Sequence, residues 1–457
     1  MSFPAHRLCS AALPRRPAHA RPRQVGRVAA TLGLGTGVRV ERLARALAGA
    51  FLAGRWTERA LTDRGRTVTG PGQPWLPAVV REVLRAYPWA PADRPRELAA
   101  VIAAHLPPGP LPAPRRWYAA PTRMGPSARP GPALDTVGSL AALLGLTTGE
   151  LDWYADVRGL QRRAAGLRLQ HYRRRWLARP GGGVRLLEVP RPRLRALQRR
   201  ILDEVLAALP VSPWAYGFVP GRSAPAGAAR HAGAAVVVTL DLATFFASVT
   251  APRVYGLFRS AGYPEPVAWR LAGLTTVATP VAVLAGAPAG QRAALAVAHL
   301  PQGAPSSPAL ANLAAGRLDR RLAGLAAAAG ATYTRYADDL TFSGDATLGA
   351  GRMIDAAGRI AVEEGFRLQP AKTRVQRAGG RQTVTGIVVN AHPNVGRDDY
   401  DALRAQLHNA AVHGPASQNR AGHPDFRAHL LGRIAWVAAV NPARGERLRA
   451  AFDRIAW

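Results

Sequence analysis

Three features of this sequence predict an α+β fold. From about residue 171 onward, apolar strands and amphipathic helices interleave without the strict alternation of a parallel α/β sheet. The stretch AAVVVTLDLATFF (234–246) reads as a buried strand that runs into an acid. ATYTRYADDLTFSG (331–344) places two alternating strands around an acidic turn, the pattern of an antiparallel hairpin.

The elements follow in order. Residues 1–35 hold six arginines and no acid, with no apolar period, and are expected to be a disordered basic arm. Residues 36–106 form a helical unit, with helical spacing in VERLARALAGAFLAGRWTERAL (40–61), LPAVVREVLRAYPW (76–89) and PRELAAVIAAHL (95–106). Residues 107–134 read as a Pro-rich linker. In 135–170, DTVGSLAALLGLTTGELDWYADV (135–157) predicts two short helices with Asp135 and Thr148 as N-caps, packed together rather than arranged to bind DNA.

Within 171–391, GGVRLLEVP (182–190) is a strand after a glycine turn. RLRALQRRILDEVLAAL (193–209) is a helix with an arginine-rich face. Helices span 306–329 and 351–365, and QTVTGIVVN (382–390) is a further strand. Residues 392–457 are helical again.

Charge narrows the function. The chain holds 61 Lys+Arg against 28 Asp+Glu, a net charge of +33. Without residues 1–35 the remainder still carries +27 (33 minus six arginines), so the excess lies in the folded body. That pattern suits a polyanion, most commonly nucleic acid. Cys9 is the only cysteine, which excludes an internal disulfide and a cysteine zinc site and fits a reducing cytoplasm. No apolar run reaches the roughly 18 residues of a membrane span, and no secretory signal is evident, so no membrane association is expected.

YADD (336–339) puts two adjacent carboxylates at a hairpin tip, and LDLATFF (240–246) sends Asp241 off the end of an apolar strand. Turn chemistry alone accounts for an Asp in a turn. Bringing Asp241 beside Asp338, however, concentrates negative charge that a divalent ion offsets. Mg²⁺ favours carboxylates together with phosphate oxygens, and the Leu242 carbonyl is placed to complete a coordination sphere. Two such ions suit phosphoryl transfer.

VVVTLDLATFFASV, LPQGAPSSPALANL, TYTRYADDLTFS, LQPAKTRV and TVTGIVVN stand in the order of reverse-transcriptase motifs across 171–391. AYGFVPGRS (215–223) matches the segment upstream of the first catalytic aspartate. The sequence resembles the bacterial retron reverse transcriptases, of the myxobacterial kind. The VTG of 384–386 resembles a retron feature. The retron motif Asn-Ala-x-x-His is matched at Ala228 and His231, with Gly227 in place of the Asn.

The resemblance implies a right-handed polymerase. Its fingers and antiparallel palm sheet would span 171–391, its helical, RNA-binding thumb 392–457, with the helical region in front. It implies Asp241, Asp338 and Asp339 as metal-holding catalytic residues. Phe246 falls where an aromatic lies under the sugar of the incoming nucleotide and leaves no room for a 2′-hydroxyl, which selects dNTPs. Gln302 and Gly303 lie along that nucleotide, with the glycine allowing close backbone approach. Arg185 grips the triphosphate, and Tyr336 sits near the primer end. Lys372 is the only lysine in the chain and falls at the lysine position near the triphosphate. Lysine, with a reference pKa near 10.4, releases a proton to leaving pyrophosphate; arginine, above about 12.5, does not.

The resemblance further implies a cognate structured non-coding RNA as template and primer. Synthesis would start from a guanosine 2′-hydroxyl and give a branched RNA–DNA product (msDNA), in anti-phage defence with an effector protein. His231, Arg404, His408 and His413 are candidate RNA contacts, with Asn409 beside them. Trp436 and Trp457 are expected to fill the thumb core rather than stack on bases. Other readings are an intron-encoded or diversity-generating reverse transcriptase, and a non-catalytic RNA-binding protein.

Overall fold

The computed structural model describes residues 34–128, 130–162, 170–178 and 183–457. The basic arm expected at 1–35 lies outside the described residues as far as residue 33. The described residues divide into two compact units, those up to residue 90 with 96–120, and 91–95 with those from 121 to 457.

The first unit is built from α1 (Leu34–Leu52), α2 (Glu58–Thr69), α3 (Leu76–Ala86) and α4 (Pro95–His105). The continuous period of 40–61 is broken between α1 and α2. The Arg64 guanidinium donates to the carbonyls of Ala50, Phe51 and Arg55, which ends α1, and Thr57 caps α2. Leu43, Leu47, Phe51, Leu61, Val80 and Ile102 are fully buried in its core. Among its described residues the Pro-rich stretch has neither helix nor strand, yet it is anchored. Tyr118 packs on this core and the Arg115 N–H donates to the Val68 carbonyl. Further on, within the second unit, Gly125 N–H donates to the Gly262 carbonyl and Leu134 is buried.

The second unit opens with α5 (Val137–Leu144) and α6 (Thr148–Tyr154). Their N-caps are Thr136 and Thr147, not Asp135 and Thr148. Each threonine closes a reciprocal capping box with the residue three positions on, Ser139 and Glu150. The Asp135 carboxylate instead accepts from the Met124 N–H.

β1 (Tyr172–Ala178) and β2 (Val184–Pro190) form an antiparallel hairpin. It is followed by α7 (Pro192–Ile201), which widens into a π turn at Leu202–Leu206, and by α8 (Ala224–Ala229). The central sheet contains β3 (Val236–Asp241), β4 (Thr332–Tyr336), β5 (Asp339–Gly344) and β6 (Arg374–Arg377), in the order β4-β5-β3-β6 and antiparallel throughout. β3 is apolar on both faces because both are covered. Val236, Val238 and Leu240 enter the main core, and Val237 enters the C-terminal core. The strand ends at Asp241, and Phe245 and Phe246 belong to the short α9 (Phe245–Ser248).

Between β3 and β4 lie α10 (Ala251–Ser260), α11 (Glu265–Thr275), α12 (Val281–Leu284), α13 (Ala289–Ala296), α14 (Ser307–Ala314) and α15 (Gly316–Ala328). After β5 come α16 (Ala350–Glu363) and a 3₁₀ turn at Pro370–Lys372. QTVTGIVVN is a tight hairpin rather than one strand. β7 (Thr383–Val384) pairs with β8 (Ile387–Val388), and both turn residues take positive φ, Thr385 at 48° and Gly386 at 82°.

The C-terminal helices are α17 (Arg397–His413), α18 (Pro415–Gln418), α19 (Phe426–Val440) and α20 (Pro442–Phe452), packed around Leu403, Leu407, Leu430 and Phe452. The fold is α+β with antiparallel sheets. Among the described residues, no helix is long and apolar enough to cross a membrane.

Candidate active site

The β3–β5 register sets Asp241 directly opposite Asp339. Leu242 N–H donates to the Asp338 carbonyl at 2.9 Å, which draws the hairpin turn onto the end of β3. Three carboxylates therefore share one edge of the sheet. Ala337, just before them, takes φ 55°, and the turn is braced from below. Arg335 is fully buried and donates to both Asp319 oxygens, at 2.7 and 2.8 Å, to Asn312 Oδ1 at 2.9 Å and to the Ala337 carbonyl at 3.0 Å. Tyr333 Oη donates to the same Asp319. A buried charge is tolerable only when paired in this way.

The 3₁₀ turn brings Lys372 to the same edge. Gln369 N–H donates to the Asp241 carbonyl, β6 pairs with β3 from Arg374 onward, and Lys372 Nζ lies 2.6 Å from Asp241 Oδ2. Charge at the edge is not balanced. Burial, and then the Asp241 charge, raise the Asp338 carboxyl above its ordinary range, with Lys372 and Arg185 opposing. Asp339 is pushed up to about 6 by burial, then by Asp338 and Asp241, with Lys372 opposing.

That uncompensated charge, carried on hard oxygen donors, suits a divalent cation. Among the described residues no three acidic, imidazole or thiol groups converge as a finished metal cage, so an ion here needs further donors. Among the hydrogen bonds of the described residues, none occupies the Leu242 carbonyl, which leaves it free as one. Phosphate oxygens of a nucleotide would supply the others.

The nucleotide-side candidates surround this edge. Phe246 is half-buried, its ring 5.7 Å from that of Phe245, and it lines a cleft of about 230 Å³ with Arg195, Arg199, Gly303 and Ser307. Gly303 has φ 125°, and a Cβ there would lie 3.3 Å from Val189 Cγ2 and 3.4 Å from the Glu188 carbonyl oxygen. Its closeness to β2 is a structural reason for glycine beside the one proposed from the sequence. The Gln302 carbonyl accepts from Glu188 N–H at 2.9 Å. Arg185 is exposed on β2, close enough for its charge to act on Asp338. Tyr336 ends β4, paired with Asp339.

Sequence reasoning missed Glu188. It is 1% exposed and accepts from Arg174 Nε, Thr279 Oγ1 and His299 Nε2, each at 3.0 Å. These bonds tie the β1–β2 hairpin to Thr279 and to His299, three residues before Gln302. The alternation in LLEVP gives no sign that this glutamate faces inward.

The expectation that His231 contacts RNA is corrected. The residue is fully buried, with Nδ1 2.8 Å from Ser343 Oγ and Nε2 2.7 Å from Thr334 Oγ1, so the ring joins the turn after α8 to β4 and β5. Gly227 also has a physical reason. A Cβ there would lie 3.1 Å from Tyr216 Cβ and Cγ, so Tyr216 fills the space an Asn side chain would need. Arg404, His408 and His413 are exposed on α17, and Arg404 is paired with Asp401. Trp436 does not fill the C-terminal core, because it is 48% exposed on α19. Trp457 is equally exposed but packs against Phe452, ring centroids 5.0 Å apart.

The chain is similar to known proteins. The family described as reverse transcriptase (RNA-dependent DNA polymerase) matches residues 177–394. The chain is similar to the Retron Mx65 reverse transcriptase of Myxococcus xanthus, 47% identical over 69% of this chain and 71% of that protein. It is 38% identical to the Retron Mx162 reverse transcriptase of the same organism, over 70% of this chain and 67% of that one. A solved foamy viral protease-reverse transcriptase in complex with double-stranded DNA aligns at TM-score 0.31 and 14% identity, over 63% of this chain and 44% of that one, too weak a likeness to build on.

Proposed function

The chain belongs to the retron reverse transcriptases and is an RNA-directed DNA polymerase, and from that premise we propose that it copies a cognate structured RNA into DNA at the Asp241–Asp338–Asp339 edge. The observation that carries this reading is the register opposing Asp241 to Asp339, with Asp338 hydrogen-bonded across the turn and Lys372 on Asp241.

Reverse transcriptases work with divalent metal ions; here the ion would be Mg²⁺, and Asp241, Asp338, Asp339 and the Leu242 carbonyl would hold it. When bound, Mg²⁺ supplies charge stabilisation to the attacking and leaving oxygens. The chain's own groups do the rest. Arg185 reaches the triphosphate from β2, and its always-charged fork suits phosphate. Gln302 and Gly303 lie along the nucleotide, held in place by the Glu188 N–H. Phe246 occupies the space a 2′-hydroxyl would need. Tyr336 sits at the primer end. Lys372 gives a proton to the leaving pyrophosphate.

The helices from residue 392 onward hold the RNA stem, with Arg404, His408 and His413 on the exposed face of α17. The high positive charge of the body supports phosphate tracking. Synthesis begins on a guanosine 2′-hydroxyl of the RNA and leaves a branched RNA–DNA product, made in the cytoplasm. It serves anti-phage defence alongside an effector protein. The test is primer extension by the purified chain on an RNA template with dNTPs and Mg²⁺. We expect extension that is lost with chelator and in Asp338→Asn, and branched RNA–DNA in cells carrying the locus. Absence of dNTP incorporation by the wild type would favour a non-catalytic RNA-binding protein.

A further inference from the structure

Phe218 combines two unfavourable features. Its φ is 60°, a conformation that bulky residues rarely adopt, and its side chain is 50% exposed. Glycine would take this backbone freely, and a polar residue would meet solvent at lower cost. Such outliers persist where the surroundings impose them, and they cluster at functional sites.

The surroundings here are specific. The Gly217 carbonyl accepts from Asn312 Nδ2 at 2.8 Å, and Tyr216 N–H donates to the Arg335 carbonyl at 2.8 Å. A Cβ at Gly217 would lie 2.7 Å from the Ala337 nitrogen, so the segment is wedged against the acidic turn. Arg222 Nη1 donates to the Ser212 and Ala215 carbonyls, at 2.7 Å each, and holds the loop from the other side. Asn312 and Arg335 also belong to the buried network beneath Asp338. The bracing that shapes the acidic turn therefore also presents Phe218.

The ring lies between two residues of the site, 6.5 Å from Phe246 and 6.2 Å from Tyr336 between centroids. Among the described residues, Phe218, Thr244 and Ala337 are three of five non-glycine positions with positive φ, and all three flank the carboxylates. Phe218 is the one of these with a large side chain facing outward.

Resting on the function proposed above, we infer that Phe218 is a specificity-determining residue that bears on the terminal base pair, between the nucleotide sugar over Phe246 and the primer end at Tyr336. A flat ring without hydrogen-bonding groups senses the shape of a pair and not its sequence, which suits an enzyme that must accept every template base. A correctly formed pair covers the exposed ring, and a displaced or mismatched pair leaves it wet.

The test compares wild type with Phe218→Gly, Phe218→Ala and Phe218→Tyr in single-nucleotide incorporation, alongside thermal unfolding. Phe218→Gly should lower kcat/KM for the correct dNTP about tenfold or more, while its Tm stays level or rises as the backbone strain is released. Phe218→Ala should extend a mismatched primer end severalfold more readily, relative to a matched end, and Phe218→Tyr should behave as wild type. Incorporation and mismatch discrimination within twofold of wild type in both small variants would overturn the inference. So would a Tm that falls in step with activity, which is what a packing residue would give. A wild-type chain that extends no primer overturns the parent reading, and this one with it.

Discussion

Lys372 Nζ lies 2.6 Å from Asp241 Oδ2, so the one lysine of the chain is paired with the first carboxylate of the site. The lysine side chain is 52% exposed while that of Asp241 is only 10% exposed, and with one partner open to solvent stability is not a sufficient reason for the pair. An arginine could hold the same charge beside Asp241, as the other 60 basic residues of this chain would. The property that separates the two residue types is proton release. Lys372→Arg should bind dNTP with an affinity near that of wild type and slow single-turnover incorporation by about 100-fold. An unchanged rate in rapid-quench experiments would remove Lys372 from the chemistry.

Phe246 lines the cleft between Gly303 and the arginines of α7. Its ring also packs on Phe245, so two roles compete, sugar exclusion and simple packing. Phe246→Ala should reduce the preference for dNTP over rNTP, as a ratio of kcat/KM values, by about 10- to 100-fold. Phe246→Tyr should keep it. If both variants discriminate as wild type does, the ring is a packing residue.

Asp339 carries charge that nothing among the described residues fully offsets. Its carboxyl is raised to about 6 by burial and by two neighbouring carboxylates, which marks its ionised form as destabilising. Asp339→Asn should therefore stabilise the metal-free protein at neutral pH, on the order of 2 kcal/mol, while reducing primer extension. Added Mg²⁺ should raise the thermal midpoint of wild type and raise that of the variant less. Differential scanning with chelator and with Mg²⁺ reads both effects. A variant less stable than wild type in chelator would show that Asp339 holds structure rather than a cation.

What was legible in the sequence was local. The acidic hairpin shows because alternation and turn lie within fourteen residues, 331–344. The strand before Asp241 shows because both its faces are covered and its run is apolar but for Thr239. Lys372 shows by composition, although its distance to Asp241 does not. The supports were hidden because their partners are far apart in the chain. Glu188 meets Arg174, Thr279 and His299 across separations of up to 111 residues, and in a strand pattern it resembles a solvent-facing acid. Arg335 sits in a strand where its partner, Asp319, belongs to the preceding helix. Phe218 is one more apolar residue in the sequence, since a backbone angle leaves no mark in composition. The caps were missed by one residue because Asp135 and Thr148 are good capping types standing next to better-placed threonines.

His231 provides a prediction at acid pH. Its ring is fully buried between Ser343 on β5 and Thr334 on β4, both neutral hydroxyls, and the charged group acting on it is Arg230. Burial, then Arg230, lowers its pKa to about 4, against 6.5 for an unperturbed imidazole. Between those values the unfolded chain binds a proton that the folded chain excludes. The stability tied to the neutral ring is complete above about pH 6.5 and is lost as pH falls toward 4, up to about 3 kcal/mol. His231→Gln removes the titrating group, and the amide still bonds a hydroxyl. Urea unfolding at pH 7.5 and at pH 5 should show wild type losing about 2 kcal/mol more than the variant over that interval. Equal losses in the two proteins would place the acid sensitivity elsewhere in the fold.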